Sequence, residues 1–226
     1  MRVLAEAVGG CDAVVALTQA AARAIDRWFG VEARVIPPGV RLELFELGAE
    51  RDEQPTIACA AAPDDSRKRV DLLVAAFRRV RRERPAARLV LAPPRDAPVP
   101  AGLRQDGVEV TPTGPDGVAP IFQRAWASVL PSRNEAFGLV LVESLACGTP
   151  VVGTRDGGIP EIVDSPEIGR LFDGGEEELA DALLETLDLA GDPATRTRCR
   201  ERAAQFTTER SAVAYEELYR ELIRVA

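Results

Sequence analysis

The chain predicts an α/β fold, a Rossmann-like parallel sheet with helices on both faces. Three observations carry that reading. Short apolar strand patterns recur at 56–60, 88–92 and 150–154, without the strict polar alternation of a half-wet strand. Helical stretches with one apolar face lie among them, and this density of alternation suits a sheet between two helical layers, with right-handed connections. Finally, residues 135–162 run as loop acid, helix start, helix acid, Gly-Thr-Pro stop, strand and glycine-rich turn. That order places polar side chains and free backbone N–H groups at the carboxyl edge of the sheet, where open α/β folds bind nucleotides.

Each element has its own reason. Ala13 to Leu17 is a short buried-strand pattern. Thr18 is placed to cap a helix that runs to about Phe29 and stops at Gly30. Ala33 to Ile36 is another short strand, ended by Pro37-Pro38-Gly39, and the polar, acidic residues 41–55 read as a linker. After strand 56–60, the loop from Pro63 to Lys68 leads into helix 69–84, with Val70, Leu73, Val74, Phe77 and Val80 on one face. Strand 88–92, a Pro-rich loop at 93–106, a brief strand at 108–110 and a short helix at 118–125 follow. Ser128 to Pro131 leads into the acid-bearing stretch. Helix 138–147, strand 150–154, a short helix from Pro160 and strand 168–172 come next, and from Glu176 the pattern is helical to the end.

Size and composition bound what the chain does. Its 226 residues, 46% hydrophobic, suffice for one core, or for one domain plus part of another. The net charge is −8. The basic run Arg78-Arg79, Arg81-Arg82 is broken by Val80 and reads as the wet side of a helix, so nucleic acid is not an expected partner. None of Cys11, Cys59, Cys147 and Cys199 forms a CxxC pair, and three of them sit in apolar patterns, as free thiols do. With no signal peptide and no apolar run of about 18 residues, we expect a cytoplasmic protein with reduced thiols. Histidine is absent, which excludes Ser-His-Asp and Cys-His chemistry and every His metal site. Acid–base work at neutral pH then falls to carboxylates, Lys, Tyr or the substrate itself.

The candidate site is the stretch Glu135-Ala136-Phe137-Gly138-Leu139-Val140-Leu141-Val142-Glu143. Phe137-Gly138-Leu139 opens a helix whose first N–H groups lack partners and point along the positive end of the helix dipole, which suits a diphosphate. Gly138 would let a phosphate approach the backbone closely. The helix is apolar nearly all round, so Glu143 within it is costly unless it has partners. Vicinal hydroxyls, as on a ribose, would satisfy it; so would a buried Arg or backbone amides. Glu135, before the helix, suits the hydroxyls of a hexose, or is a solvated loop acid. Arg67-Lys68-Arg69 lies at the same sheet edge; of the three, Lys68 is the expected phosphate partner, with Asp64 and Asp65 close enough to neutralise one of them. Gly157-Gly158 reads either as a plain strand-to-helix turn or as a source of backbone amides for the pocket.

The order Val35-Ile-Pro-Pro-Gly-Val40, Arg67-Lys-Arg-Val-Asp-Leu-Leu73, Glu135-x7-Glu143, Gly148-Thr-Pro-Val-Val152, Gly157-Gly-Ile-Pro-Glu-Ile162 resembles the C-terminal, donor-binding half of retaining glycosyltransferases with the GT-B fold, more narrowly glycosyltransferase family 4. The resemblance covers nearly the whole chain. It implies that Glu143 holds the ribose of a nucleotide sugar and that Glu135 contacts the donor sugar and serves catalysis. It also implies that Lys68 and the backbone of Ala136, Phe137, Gly138 and Leu139 hold the diphosphate, with Gly157 and Gly158 completing the pocket. The base falls near Thr111-Pro-Thr-Gly114. The family's reaction retains anomeric configuration, needs no metal and no cofactor beyond the nucleotide-sugar donor, and lets the leaving phosphate accept the acceptor's proton.

Two departures stand out. The family's Gly-Arg after the first strand of this half is replaced by Ala60-Ala-Ala-Pro-Asp-Asp, so either Arg67 substitutes for that Arg or the diphosphate is held less well. Loss of one such charge-assisted contact weakens donor binding about 10- to 150-fold. The resemblance also implies an acceptor-binding N-terminal domain of which we expect only the end here: residues 1–45 read as its last strand–helix–strand plus a linker, 46–206 as the nucleotide-sugar domain and 207–226 as a helix crossing back onto it. That helix, with Val213, Leu218, Leu222 and Ile223 apolar, should leave an exposed apolar surface. We therefore expect a chain that is inactive alone and needs that domain or a partner chain; peripheral membrane association belongs to the complete enzyme. A non-catalytic nucleotide-sugar-binding module, or one subunit of a split glycosyltransferase, shares the same residues. The missing histidine and cofactor lysine argue against an epimerase or a phosphorylase; a structural protein that has lost its ligand would be told apart by failing to bind nucleotide.

Overall fold

A computed structural model describes residues 2–114 and 117–225. Met1 and Ala226, the outer limits of the predicted end segments, lie outside the described residues. The helices are α1 (Arg2–Gly9), α2 (Gln19–Phe29), α3 (Val70–Glu83), α4 (Val118–Arg124), α5 (Leu139–Ala146), α6 (Glu176–Leu189), α7 (Pro193–Ala203) and α8 (Thr208–Val225). The strands are β1 (Val15–Ala16), β2 (Arg34–Val35), β3 (Thr56–Cys59), β4 (Arg88–Leu91), β5 (Val108–Val110), β6 (Ala127–Leu130), β7 (Val151–Thr154) and β8 (Gly169–Phe172).

The large sheet has six parallel strands in the order β5-β4-β3-β6-β7-β8. β3, β6 and β7 are buried at every position, because helices cover both faces. α3 packs on α6, while α5 packs on α7 and α4. Val70, Leu73, Val74, Phe77 and Val80 are the buried face of α3, as its spacing predicts. The chain reverses direction across the sheet between β3 and β6. In an open α/β sheet this switch point leaves a crevice at the carboxyl ends of the two central strands.

A smaller parallel sheet pairs β1 with β2. Thr18 caps α2, accepting from the Ala21 amide, and Gly30 ends it in the left-handed conformation at φ 65°. This unit is fastened to the large sheet at several points. Both Glu161 carboxylate oxygens accept from the first amides of α2, at Gln19 and Ala20, each at 2.8 Å. Arg34 pairs with Glu221 on α8, and the Val40 amide donates to the Phe206 carbonyl at 2.9 Å. The predicted linker is clamped as well: Arg51 donates to the carbonyls of Ala125, Trp126 and Gly148, and Arg200 to those of Leu42, Phe45 and Ala146. The apolar stripe of α8 is divided, with Leu218 buried and Val213 and Ile223 exposed.

Candidate functional site

Two adjoining cavities open at the switch point. The larger, about 530 Å³, is lined by Glu143, Thr113, Gly114, Pro94, Arg41, Thr208 and apolar neighbours. The smaller, about 300 Å³, is lined by Lys68, Glu135, Ala136, Phe137 and Gly138, with Leu17 and Pro38 from the small unit. Ala60, Leu139 and Val140 line both. The end of β3 and the first turn of α5 are thus the shared wall, and the volumes fall in the range of small-ligand sites.

Glu143 is the informative group in the larger cavity. It sits midway along α5, between the buried Val142 and Ser144. Among the described residues its carboxylate accepts no hydrogen bond and joins no ion pair, so neither a buried Arg nor backbone amides satisfy it. Burial, with no compensating partner, pushes the carboxyl above its ordinary range. An acceptor-only group left in this state suits a ligand that donates hydroxyls.

The loop carrying the first acid is held from three sides. The Asn134 amide donates to Asp156 at 2.8 Å, with Asn134 itself left-handed at φ 52°. The Gly158 amide donates to the Glu135 carbonyl at 2.8 Å, and the Thr18 hydroxyl to the Ala136 carbonyl at 3.2 Å. The Arg133 amide donates to the Arg67 carbonyl at 2.9 Å. The amides of Phe137, Gly138 and Leu139 find no acceptor among the described residues, and the positive end of α5 is available to an anion.

The basic loop before α3 sorts its three cations. Lys68 donates to Glu135 at 2.7 Å, with both side chains mostly buried, 25% and 17% exposed. Arg69 is left-handed at φ 48° and spans the sheet edge. Its guanidinium donates to the Pro131 carbonyl and the Thr154 hydroxyl and lies over the Phe172 ring at 5.5 Å.

The structure places several of the predicted residues as follows. The Arg67 guanidinium donates to Asp65 at 2.7 and 3.2 Å and lines neither cavity, so nothing in this arrangement supports it as a substitute for the missing Arg. That contact also holds the Asp65 carboxyl below its ordinary range. Gly157 and Gly158 do not offer amides to the pocket, since those amides go to Asp156 and Glu135. They brace the acid loop from behind instead: a Cβ on Gly157, at φ 59°, would lie 2.1 Å from the Glu135 carbonyl oxygen. At Gly138 the turn itself calls for glycine, because φ is +108°.

Lys68, Glu135, Ala136, Phe137, Gly138, Leu139 and Glu143 are gathered around the two cavities, and so is the Thr113-Gly114 loop. Sequence reasoning missed Arg41 and Thr208 in the larger cavity and Leu17 and Pro38 in the smaller. The Pro37-Pro38-Gly39 run was the available signal. Gly39 packs so closely on Thr207 that a Cβ would lie 2.3 Å from its backbone.

Comparison with known proteins accords with this geometry. The model of the family described as glycosyl transferases group 1 matches residues 54–189, from the foot of β3 through α6. D-inositol 3-phosphate glycosyltransferase of Segniliparus rotundus is 30% identical over 247 residues, covering 96% of this chain and 54% of that protein. N-acetyl-alpha-D-glucosaminyl L-malate synthase of Bacillus anthracis is 36% identical over 115 residues, covering 48% of this chain and 29% of its own length. Among solved structures, sucrose-phosphate synthase from Thermosynechococcus elongatus superposes on all of this chain and 62% of its own, with a TM-score of 0.86 at 28% identity. The chain spans about half the length of the curated relatives it matches. A family match over the whole of the large sheet, on a fold shared across the whole chain, shows that this protein belongs to the glycosyl transferases group 1 family and has the fold of a GT-B glycosyltransferase half.

Proposed function

We propose that this chain is the donor-binding half of a retaining glycosyltransferase, family 4 in type, that binds a nucleoside diphosphate sugar. One observation carries the reading most: Glu143 stands unpartnered in a cavity whose wall continues into the first turn of α5 and the pocket of Glu135. In this reading Glu143 accepts from the ribose hydroxyls, and the diphosphate caps the free amides of Phe137 to Leu139. Lys68 turns from Glu135 to the phosphates, which frees Glu135 for the donor sugar. The base lies toward Thr113 and Gly114.

Transfer breaks the bond from the anomeric carbon to the leaving phosphate oxygen and forms one to the acceptor oxygen on the same face. The acceptor's proton passes to the departing phosphate. No side-chain base is required, and no cofactor or metal besides the donor enters the scheme. Catalysis needs the acceptor oxygen about 3–3.5 Å from the anomeric carbon, and we assign that positioning to another half, on this polypeptide or a partner. The relatives' names support the division: one acts on an inositol phosphate and another on malate, yet both align with this half.

Calorimetric titration of UDP, GDP, ADP and dTDP tests the assignment. We expect one of them to bind and Glu143→Ala to weaken it about 10-fold or more, the loss of hydrogen bonds to a charged group. No binding of any at millimolar concentration would remove the assignment. A module that binds without catalysing gives the same titration but transfers no sugar once an acceptor half is supplied.

A further inference from the structure

The two cavities present a charge deficit. A diphosphate needs cations, and the loop after β3 offers only Ala60-Ala61-Ala62. Arg67 is held by Asp65, and Arg69 by Pro131, Thr154 and Phe172. Lys68 reaches the smaller cavity already paired with Glu135. The remaining cation on either wall is Arg41, at the mouth of the larger cavity. Among the described residues its guanidinium has no hydrogen bond and no ion pair. It does not serve Glu143 either, because burial alone shifts that carboxyl and no cation opposes it.

Its backbone, by contrast, is fixed on both sides. The Val40 amide donates to the Phe206 carbonyl, and Arg41 itself caps the 3-10 turn Leu42–Leu44, whose Leu44 amide donates to the Arg41 carbonyl at 3.1 Å. Arg200 holds the carbonyls of Leu42 and Phe45. An uncommitted guanidinium on a fixed backbone, sharing a cavity with Leu139 and Val140 of the α5 start, is available to an anion bound there.

We propose that Arg41 supplies the second cation for the donor's diphosphate, reaching it from the lining of the cavity it shares with the first turn of α5. The proposal rests on the nucleotide reading above. It predicts a loss that depends on phosphate. For whichever nucleoside diphosphate binds the wild type, the nucleoside, monophosphate and diphosphate are titrated against wild type, Arg41→Ala and Arg41→Lys. Arg41→Ala should weaken the diphosphate about 10- to 150-fold, the range for one charge-assisted contact, and leave the nucleoside unchanged. Arg41→Lys should recover part of the loss, since it keeps the charge without the fork. Equal losses for nucleoside and diphosphate would put Arg41 on the base or ribose and overturn the proposal, as would no loss at all. If wild type binds no nucleotide, the underlying reading fails and this proposal with it, a result distinct from either. Arg41 is exposed, and a melting curve for each variant reads folding separately.

Discussion

Glu143 is ionisable, half out of water and unsatisfied by the fold, and this has a measurable sign. Its folded-state pKa is raised, so the stability it contributes is present in acid and lost as pH rises through that value. At neutral pH the ligand-free protein therefore carries a penalty. Glu143→Gln should raise its melting temperature at pH 7 by about 2–4 °C, the shift of roughly 1 kcal/mol in a domain of this size. The gain should fade near the ordinary carboxylate pKa of about 4.3. Nucleotide should stabilise the wild type and not the variant, and its affinity should fall on acidification sooner than an ordinary Glu would allow. A pH series of thermal melts with and without ligand decides both. The Lys68–Glu135 pair yields a second expectation. Glu135→Gln releases the ammonium, so a sugar-free nucleoside diphosphate should bind up to about 5-fold tighter, the worth of a partly exposed ion pair, while its sugar conjugate binds more weakly. The two acids, the helix between them and the place of Lys68 at the same sheet edge were legible in the sequence. Their pairing was not, because 67 positions separate Lys68 from Glu135 and no local pattern records a contact made by folding.

The elements show the same boundary between what a pattern records and what tertiary contact decides. Thr18 and Gly30 were readable as the two ends of α2, because caps act within a few residues. Glu161 was readable only as part of a turn after strand β7. In the fold it is a second cap on α2, its two oxygens taking the Gln19 and Ala20 amides from 142 and 141 positions away. A carboxylate at the positive end of a helix satisfies orphan donors and the dipole together. Glu161→Ala should therefore cost about 0.5–2 kcal/mol, and limited proteolysis should cut within residues 2–39 sooner than in wild type. Unchanged cleavage would show that α2 is held by other means. The linker at 41–55 was readable as polar and aperiodic, but not the way it is held: Arg51 within it donates to the Ala125 carbonyl, and Arg200 of α7 donates to the Leu42 and Phe45 carbonyls. Periodicity says nothing about such a clamp.

At the scale of the molecule, alternation announced a parallel sheet with two helical coats, and the register of all six strands bears that out. The strand order, and with it the place of the crevice, follows from which neighbours pair, so it came only from the fold. The thiols behave as their surroundings require. Cys59, Cys147 and Cys199 are buried free thiols pushed up to about 12, whereas Cys11 is exposed. A thiol reagent should label one site in the native protein and four after denaturation. Among the described residues no helix is long and apolar enough to cross a membrane. Trp28, Tyr219 and Ile223 remain 59–76% exposed on the small unit and α8. The hydroxyl of Thr18, anchored in the small unit, grips the Ala136 carbonyl beside the first acid. A displacement of the small unit would therefore reach the backbone beside Glu135 through this one bond.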